Sequence, residues 1–382
     1  MSLSIRILED FTSLDPADWA GIDHADNPFL SYEWLAALET SGSIGPHAGW
    51  QPHHLAVYEE ESLVGFAPTY AKHNSHGEFV FDWAWADAYQ RNGLAYYPKL
   101  LTGIPYSPVT GPRLLVRKGH PEPGEVRAAL IQHACSLCAD GQFSSWHCNF
   151  VNHTDAESLA RQDLLQREDW QFHWSNDAWS DFHGFLNSLR SRKRKNIRRE
   201  RRQVREAGVA VAWKSGEQLS DPDLDFIYDC YTDTFHNYGN YPALQKSFFK
   251  SIASGLGERF QVALASIDER PVAMSVFLAG GGRLYGRYWG CVENIPALHF
   301  ELAYYQGIEF CINNGLDVFE SGAQGEHKIG RGFAPNRTRS FHYIEHPAFR
   351  AAIADHLQRE GRWLESYGEQ LDKRVPFRRD EP

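Results

Sequence analysis

The stretch that decides the fold is residues 261–289, QVALASIDERPVAMSVFLAGGGRLYGRYW, in the second half of the chain. Two apolar runs, 261–267 and 272–279, flank a polar turn of four residues, a pattern that predicts an antiparallel hairpin. A further run, 283–289, follows three glycines and predicts a third strand. Gly286 lies inside that run, and a glycine within a strand indicates a bulge or a close backbone approach.

A helix and a short strand are predicted after these three strands. The helix covers 297–313 and the strand 316–320. The first half of the chain shows the same order, because 54–71 reads as a hairpin with an acidic turn and 128–150 as a helix followed by a strand. The sequence therefore indicates a duplicated α/β unit, although the two halves match in pattern and not in residue identity.

The length of 382 residues favours two domains, since one domain commonly holds about 100–150 residues. We expect an N-terminal domain over 1–176 and a C-terminal domain over 177–382. The second domain would open with a basic helix over 182–207 and end with a long amphipathic helix over 347–374.

Charge is distributed unevenly along the chain. The net charge is −11, yet the segment from Arg190 to Arg205 contains ten Lys or Arg residues and one Glu. Such a helix could bind RNA phosphates, anionic lipid headgroups or a cofactor phosphate. It could also simply contact the acidic remainder of the protein. Arg194 and Arg198 are the residues that we expect to bind the anion.

A polar loop, ESGAQGEHKIGRG at 320–332, follows the last predicted strand of the repeat and contains four glycines. Loops of this composition often form binding sites, because glycine lets backbone N–H groups approach a ligand. Glu326 and His327 are candidate general bases. Lys328 and Arg331 are candidates for holding a phosphate or carboxylate, and Gln324 for contacting the substrate. A plain surface loop is the alternative interpretation.

Other candidate substrate contacts lie outside this loop. Tyr288 belongs to the third predicted strand, and Glu301 and Tyr305 share one face of the following helix at a spacing of four residues. Tyr106 lies in a proline-rich segment, 96–112, which we expect to be an ordered loop that lines a substrate cleft. Buried polar residues with structural partners would give the same pattern.

Six cysteines and the absence of a long apolar run limit the class of protein. Cys135 and Cys138 form a C-x-x-C with histidines nearby, but they fall within a helical apolar pattern, so we favour core packing over a zinc site and expect no metal. No stretch approaches the roughly 18 apolar residues of a membrane span. The N-terminus also lacks the features of a secretory signal, so we expect a cytoplasmic protein with reduced thiols.

Several segments resemble the signatures of a bacterial FemAB-like family, whose members are N-acyltransferases linked to peptidoglycan biosynthesis or recognition. These segments are YPKL at 97–100, PYSPVTG at 105–111, LHFE at 298–301 and GAQGEHK at 322–328. The resemblance implies an α/β (α+β) fold of two tandem GNAT-like acyltransferase domains, each a mixed, mainly antiparallel sheet flanked by helices.

The resemblance also implies a reaction in which an amine attacks an activated acyl carbonyl, with the oxyanion bound by backbone N–H groups. The better-known relatives use aminoacyl-tRNA to modify a cell-wall precursor, and the basic helix would suit that donor. An acyl-CoA donor is the other possibility, although the chain lacks a clean R/Q-x-x-G-x-G/A loop and 328–332 is a poor approximation.

We therefore expect an N-acyltransferase that moves an acyl or aminoacyl group to an amine acceptor such as a cell-wall precursor. Its site would lie in the second domain, between the strand 283–289 and the loop 324–331. The alternative is a non-catalytic protein of the same duplicated fold that binds RNA or an anionic glycan precursor.

Overall fold

The structure is a computed structural model that describes residues 3–323 and 325–377. Two compact units are present. The first comprises Met1–Asp169 and Arg337–Ser366, and the second comprises Trp170–Asn336 and Tyr367–Pro382. Residues 337–366 thus belong to the first unit, although they follow the second unit's sheet in the chain.

Strands and helices are both distributed along the whole described chain. The strands are β1 (Leu3–Leu8), β2 (Ile22–Asp23), β3 (Trp50–Pro52), β4 (His54–Glu59), β5 (Ser62–Ala67), β6 (Thr69–Lys72), β7 (Lys99–Thr102), β8 (Leu115–Arg117), β9 (Ser145–Asn149), β10 (Leu165–Ser175), β11 (Ala210–Ser215), β12 (Phe260–Ile267), β13 (Arg270–Gly280), β14 (Arg283–Cys291), β15 (Val318–Glu320) and β16 (Ala334–Ile344).

Most helices are short, and the longest follows the last strand. The α-helices are α1 (Pro16–Ala20), α2 (Tyr32–Thr40), α3 (Trp83–Arg91), α4 (Pro123–Ala139), α5 (His153–Ala160), α6 (Phe182–Ser188), α7 (Ser191–Glu206), α8 (Asp221–Asn237), α9 (Lys246–Leu256), α10 (Leu298–Phe300), α11 (Gln306–Asn314) and α12 (Pro347–Arg374). A π-helical turn, Glu301–Tyr305, joins α10 to α11, and a 3-10 helix covers Glu326–Arg331. The range of α12 is the one that its amphipathic pattern predicts.

The first unit contains an antiparallel layer in the order β1-β4-β5-β8-β2. A further set of strands runs in the order β3-β6-β7-β9, and residues 340–344 of β16 pair with β9. These pairs are antiparallel apart from β7 and β9, which are parallel and are connected through α4. Cys138, on α4, is fully buried in the core of this unit, so the predicted core packing of this thiol is confirmed.

The second unit contains the order β11-β12-β13-β14-β15, and residues 173–175 of β10 pair with β15. Again one pair, β14 and β15, is parallel, and α10, the π-helical turn and α11 connect its strands. A capping box, in which Ser220 and Asp223 each bond the other's backbone N–H, begins α8. Gly315 ends α11 with φ of 65°, a left-handed conformation that glycine adopts without strain.

Both units repeat one sequence of elements, as the pattern of the two halves predicts. The hairpin β4–β5 corresponds to β12–β13. The parallel pair β7 and β9 with α4 corresponds to β14 and β15 with α11. Each unit contains a mixed, mainly antiparallel set of strands flanked by helices, which is the predicted architecture.

Two segments of the first unit differ from their predictions. Residues 79–85 alternate large apolar side chains with other residues, a pattern that predicts a strand, but the structure has no strand there and begins α3 at Trp83. The acidic residues are inside and most of the aromatic residues are outside. Glu78 and Asp82 are buried and form ion pairs with Lys99, whereas Phe79, Phe81 and Trp83 are exposed. The segment 96–112 is also not entirely a loop, because it contains β7.

The basic segment of the second unit is two helices instead of the predicted continuous helix over 182–207. The break falls at Leu189, which is extended and fully buried and forms a β-bridge with Phe377. The next backbone N–H, that of Arg190, donates to the Pro376 carbonyl. A contact with a distant part of the chain therefore ends α6 and starts α7.

Candidate active site

A gap opens in the sheet of the second unit where β14 and β15 part. The two strands pair through only three residues each, Arg283–Tyr285 and Val318–Glu320. The register of β14 against β13 then shifts by one residue at 286–287, so the bulge predicted from Gly286 is confirmed. Since β15 ends at Glu320 while β14 continues to Cys291, the later part of β14 has no β15 partner. Backbone N–H groups of this part of β14 could bind an oxyanion.

Lys328 carries a buried amine beside this gap. Lys328 is 2% exposed, and its Nζ donates to the Gly322 carbonyl at 2.7 Å. Among the described residues no carboxylate pairs with it, and burial lowers the pKa of this amine from 10.5 to about 7. An ammonium has three N–H donors, so two remain for a ligand. Such an amine can hold an anion or exchange a proton at neutral pH.

His327 lies next to Lys328 in the chain and is partly exposed. Its Nε2 lies 2.8 Å from the hydroxyl of Tyr304 in the π-helical turn. Burial and the nearby Arg331 and Lys328 lower the pKa of His327 below 6.5. Burial raises the pKa of Tyr304 to about 12, so its hydroxyl keeps its proton. At neutral pH His327 is therefore an uncharged imidazole, as a general base must be.

Glu326 forms its side-chain hydrogen bonds with the C-terminal part of α12. Its carboxylate accepts hydrogen bonds from the hydroxyl of Tyr367 and from the guanidinium of Arg374. These bonds lower the pKa of Glu326. Its role as a general base remains a prediction, and a stabilised carboxylate is a weak base for that role.

Arg331 is held by α7. Both oxygens of Glu200 accept from its Nη2 at 3.1 Å, and its Nε donates to Tyr305 at 3.0 Å. The same guanidinium lies 3.5 Å from the ring centroid of Phe300. Arg331 thus fastens the loop to α7 and to the crossover helix, which leaves little of its fork for an incoming anion.

Glu301 has a similar structural role. It is 4% exposed, and Nε of Arg201 lies 3.1 Å from both of its oxygens. Gln306 donates to the same carboxylate at 2.8 Å. The hydroxyl of Tyr305 donates to Glu200, so the predicted substrate contacts Glu301 and Tyr305 each bond a side chain of α7. They lie in a π-helical turn, a feature that is frequent at functional sites.

The opposite side of α7 presents positive charge to solvent. Ile197 and Val204 form a narrow apolar stripe on an otherwise charged helix, a pattern that predicts a surface helix with this stripe facing the core, and both residues are buried. Arg194 is half-buried and donates to the Leu189 carbonyl at 3.3 Å. The exposed cations of α7 are Arg192, Lys195, Arg198, Arg199, Arg202 and Arg205. Apart from Arg202, which lies 3.7 Å from Glu206, none of these has a carboxylate partner within the described ranges.

The remaining predicted contacts are spread over the chain. The ring of Tyr288 packs on Tyr231 of α8 and Phe249 of α9, with centroids 4.9 and 5.9 Å away. Tyr106 lies in the first unit, where its hydroxyl donates to the Ser43 carbonyl. Gln324 lies outside the described residues. Of the predicted set, the structure thus groups Glu326, His327, Lys328, Arg331, Glu301 and Tyr305 around the loop.

Sequence reasoning missed a buried carboxylate at the end of β15. Glu320 is 4% exposed, and its Oε1 accepts from Arg283 at 2.8 Å. Its Oε2 lies 3.8 Å from Nε2 of His173 and has no hydrogen-bond partner within the described part of the chain. The hydroxyl of Ser321 is likewise buried and unpaired there. Glu320 closes an apolar strand pattern, so only its position beside the polar loop signalled it.

A second buried polar cluster lies in the first unit. Lys99 is fully buried and donates to Glu78 at 2.7 Å and to Asp82. Lys72 is buried beside it, 3.8 Å from Glu78. Two cations and two carboxylates balance in charge, so this cluster fastens the segment before α3 and leaves no uncompensated charge.

The described residues contain neither a membrane-spanning helix nor a cluster of metal ligands. None of the helices found there has both the length and the apolar composition for crossing a bilayer. Within the same residues, no three His, Cys, Asp or Glu side chains are grouped for metal binding. Burial raises the pKa of Cys135 to about 11, which makes its thiol a poor ligand at neutral pH.

Several solved structures have a similar fold, and FemX is one of them. FemX is 13% identical, with a TM-score of 0.54, over 92% of this chain and 99% of that chain. L-PGS from Bacillus licheniformis is 10% identical, with a TM-score of 0.50, over 90% of this chain and 96% of its own. A conserved protein of unknown function from Bacteroides thetaiotaomicron is 10% identical, with a TM-score of 0.52, over 89% of this chain and 99% of that chain. These likenesses concern the fold, and the predicted class of tandem GNAT-like domains is confirmed.

Comparison by sequence gives the family. A search of curated proteins finds no match. The model of a family described as peptidoglycan biosynthesis/recognition, FemAB-like, matches residues 10–379. This match covers both units and includes the gap, the loop and α7. The chain therefore belongs to the FemAB-like family.

Proposed function

We propose that the protein is an aminoacyltransferase that moves an aminoacyl group from aminoacyl-tRNA to an amine of a cell-wall precursor. The observation that carries this proposal is Lys328, a buried amine without a carboxylate partner among the described residues, beside the gap between β14 and β15. An unpaired buried cation is costly unless a ligand uses it. The membership in a peptidoglycan biosynthesis/recognition family supports the acceptor.

The shape of the basic surface favours a nucleic-acid donor over acyl-CoA. The helix α7 has 16 residues and is therefore roughly 24 Å long. Its exposed cations are spread over that whole length. A pyrophosphate would contact only a small part of such a surface, whereas a nucleic-acid backbone presents a phosphate every few ångströms. The inner side of α7 bonds Arg331 and Glu301, so a donor bound outside would lie next to the loop.

In the proposed reaction the acceptor nitrogen attacks the ester carbonyl carbon of the donor. The carbonyl oxygen becomes an oxyanion, which the Lys328 ammonium and backbone N–H groups of β14 beyond its pairing with β15 would bind. Neutral His327 would take the proton that the amine loses. The carbon–oxygen bond to the ribose then breaks, and the ribose oxygen receives that proton, so a new amide and a free tRNA result.

The proposal is tested with the full-length chain, charged tRNAs carrying a labelled amino acid, and a muramyl pentapeptide that bears a free amine. Lys328→Met should lower the transfer rate about 100- to 1000-fold, the usual cost of losing one oxyanion donor. Lys193→Met is the matched control, since Lys193 also lies near the loop, on α7. Full activity of Lys328→Met, or no transfer by the wild-type protein from any charged tRNA, would refute the proposal.

A thermal unfolding experiment separates the two donor classes. Acetyl-CoA at 100 times its dissociation constant would stabilise the fold by about 2.7 kcal/mol. We expect no such shift with acetyl-CoA. A clear upward shift would replace aminoacyl-tRNA by acyl-CoA as the donor.

A second candidate function is binding without catalysis, of RNA or an anionic glycan precursor. The exposed cations of α7 favour it, because they would bind phosphates whether or not Lys328 is used. If this function were correct, charge reversal at Arg198 and Arg199 would abolish binding, and Lys328→Met would leave it intact.

A further inference from the structure

The two faces of the sheet around the gap have different coverings. Phe319 of β15 packs in the core that contains Ile197 and Val204 of α7. Tyr288 of β14 instead packs on α8 and α9. Successive side chains of a strand point to opposite faces. Glu320, next to Phe319, therefore points away from α7.

His173 and Glu320 share that second face. They are directly opposite each other in the pairing of β10 with β15, as Trp174 is opposite Phe319. Trp174 belongs to the same core as Phe319, which places His173 on the other face with Glu320. Burial lowers the pKa of His173, Glu320 raises it, and the charges of Arg283 and Lys328 lower it further. Lys328 is thus electrostatically close to this pair while its loop is bonded to α7.

Glu320 has unused hydrogen-bonding capacity. A carboxylate only accepts hydrogen bonds, and Arg283 occupies one of its oxygens. The other oxygen, Oε2, is buried without a donor within the described part of the chain. Leaving such an atom unpaired costs free energy, so an unsatisfied buried acceptor in a native structure needs an explanation. A ligand that carries an N–H group would supply the missing donor.

We propose that Oε2 of Glu320 is the binding site for the acceptor amine, on the α8–α9 face of the sheet, with the donor on the α7 face. This inference rests on the proposed transferase function. The ligand is a primary amine, whose nitrogen donates to Oε2 and lies within reach of Nε2 of His173. Arg283 holds the carboxylate in place through its other oxygen.

The test is an NMR titration of the full-length protein with histidine labelled by nitrogen-15, using n-butylammonium chloride as the probe. A His173→Gln variant identifies the His173 signals. We expect a saturable shift of those signals with n-butylammonium and none with n-butanol, which lacks the amine. Glu320→Gln should raise the dissociation constant about 10- to 100-fold, the range for loss of a hydrogen bond to a charged group. Glu309→Gln is the control, because Glu309 bonds Arg201 on the α7 side and should leave the constant unchanged.

Two outcomes would overturn the site: no saturable shift in the wild-type protein, or an equal dissociation constant in Glu320→Gln. Should Glu320→Gln fail to fold, Glu320→Asp keeps the charge and withdraws it by one methylene, and equal binding there would overturn the site as well. The titration needs neither donor nor turnover. A saturable shift in a protein without transfer activity would therefore refute the proposed function and leave the amine site standing.

Discussion

Replacing Lys328 by Met should stabilise the protein at neutral and acidic pH. The side chain is buried, so an ammonium there loses its hydration without gaining a carboxylate. Methionine has a similar shape and no charge to desolvate. The gain in the free energy of unfolding should depend on pH, because Lys328 loses its proton at a lower pH in the folded protein than in the unfolded chain.

The magnitude follows from the pKa of Lys328, which burial lowers from 10.5 to about 7. At 1.36 kcal/mol per pKa unit this difference corresponds to about 5 kcal/mol. Below pH 7 both states are protonated and the full penalty applies. Between pH 7 and 10.5 the unfolded chain binds more protons, so the wild-type free energy of unfolding rises by about 1.4 kcal/mol per pH unit. Loss of the hydrogen bond to Gly322 subtracts about 1–3 kcal/mol, which leaves a gain of about 2–4 kcal/mol at pH 7.

The assay is urea unfolding of the wild-type protein, Lys328→Met and the control Lys193→Met at pH 6, 7, 8 and 9. The advantage of Lys328→Met over the wild-type protein should be largest at pH 6 and should fall by about 2.7 kcal/mol by pH 9. A difference that does not change with pH, or a destabilised Lys328→Met at pH 6, would refute the reasoning about a desolvated amine. An equal slope for Lys193→Met would show that any lost positive charge suffices.

Three further predictions concern α12, α7 and the loop. Gly361→Ala should raise the unfolding temperature, because its added Cβ meets no atom within 4 Å. Gly368→Ala should lower the unfolding temperature by the equivalent of about 1–3 kcal/mol, because its Cβ would lie 2.4 Å from the ring of Trp170. Calorimetry of both variants measures these changes. Arg198→Glu should weaken tRNA binding and reduce the slope of log K against log salt by about one or more in filter-binding assays, and an unchanged slope would exclude a phosphate contact. Glu326→Gln should retain transfer within a few-fold because its carboxylate is bonded to α12, and a loss of 100-fold in the labelled-donor assay would restore it as the base.

Local patterns predicted much of the fold because they reflect interactions between near neighbours in the chain. The hairpin β12–β13 follows from two apolar runs around a polar turn, and α12 from an amphipathic period sustained over 28 residues. The bulge of β14 follows from a glycine within a strand. The apolar stripe of α7 likewise predicted which side is buried. None of these requires knowledge of a distant residue.

Errors arose where a distant contact overrides the local pattern. The helix over the basic segment breaks at Leu189 because that residue pairs with Phe377, almost 190 positions away in the chain. The aromatic alternation before α3 resembles a strand, but Lys99 binds the acids between the aromatic residues and turns that side inward. A sequence window contains neither partner.

The candidate site shows the same division. The sequence by itself determined the duplicated α/β units, the family, and the loop that contains His327 and Lys328. Only the tertiary structure decided which charges are satisfied. Glu326, Arg331 and Glu301 have partners on α12 or α7. Among the described residues, Lys328 has no carboxylate partner, and Glu320 bonds Arg283 through one oxygen while its other oxygen, Oε2, has no donor. The physical reason is that residue types set which bonds a side chain can make, while burial and pairing depend on residues that the fold brings together from far apart in the chain.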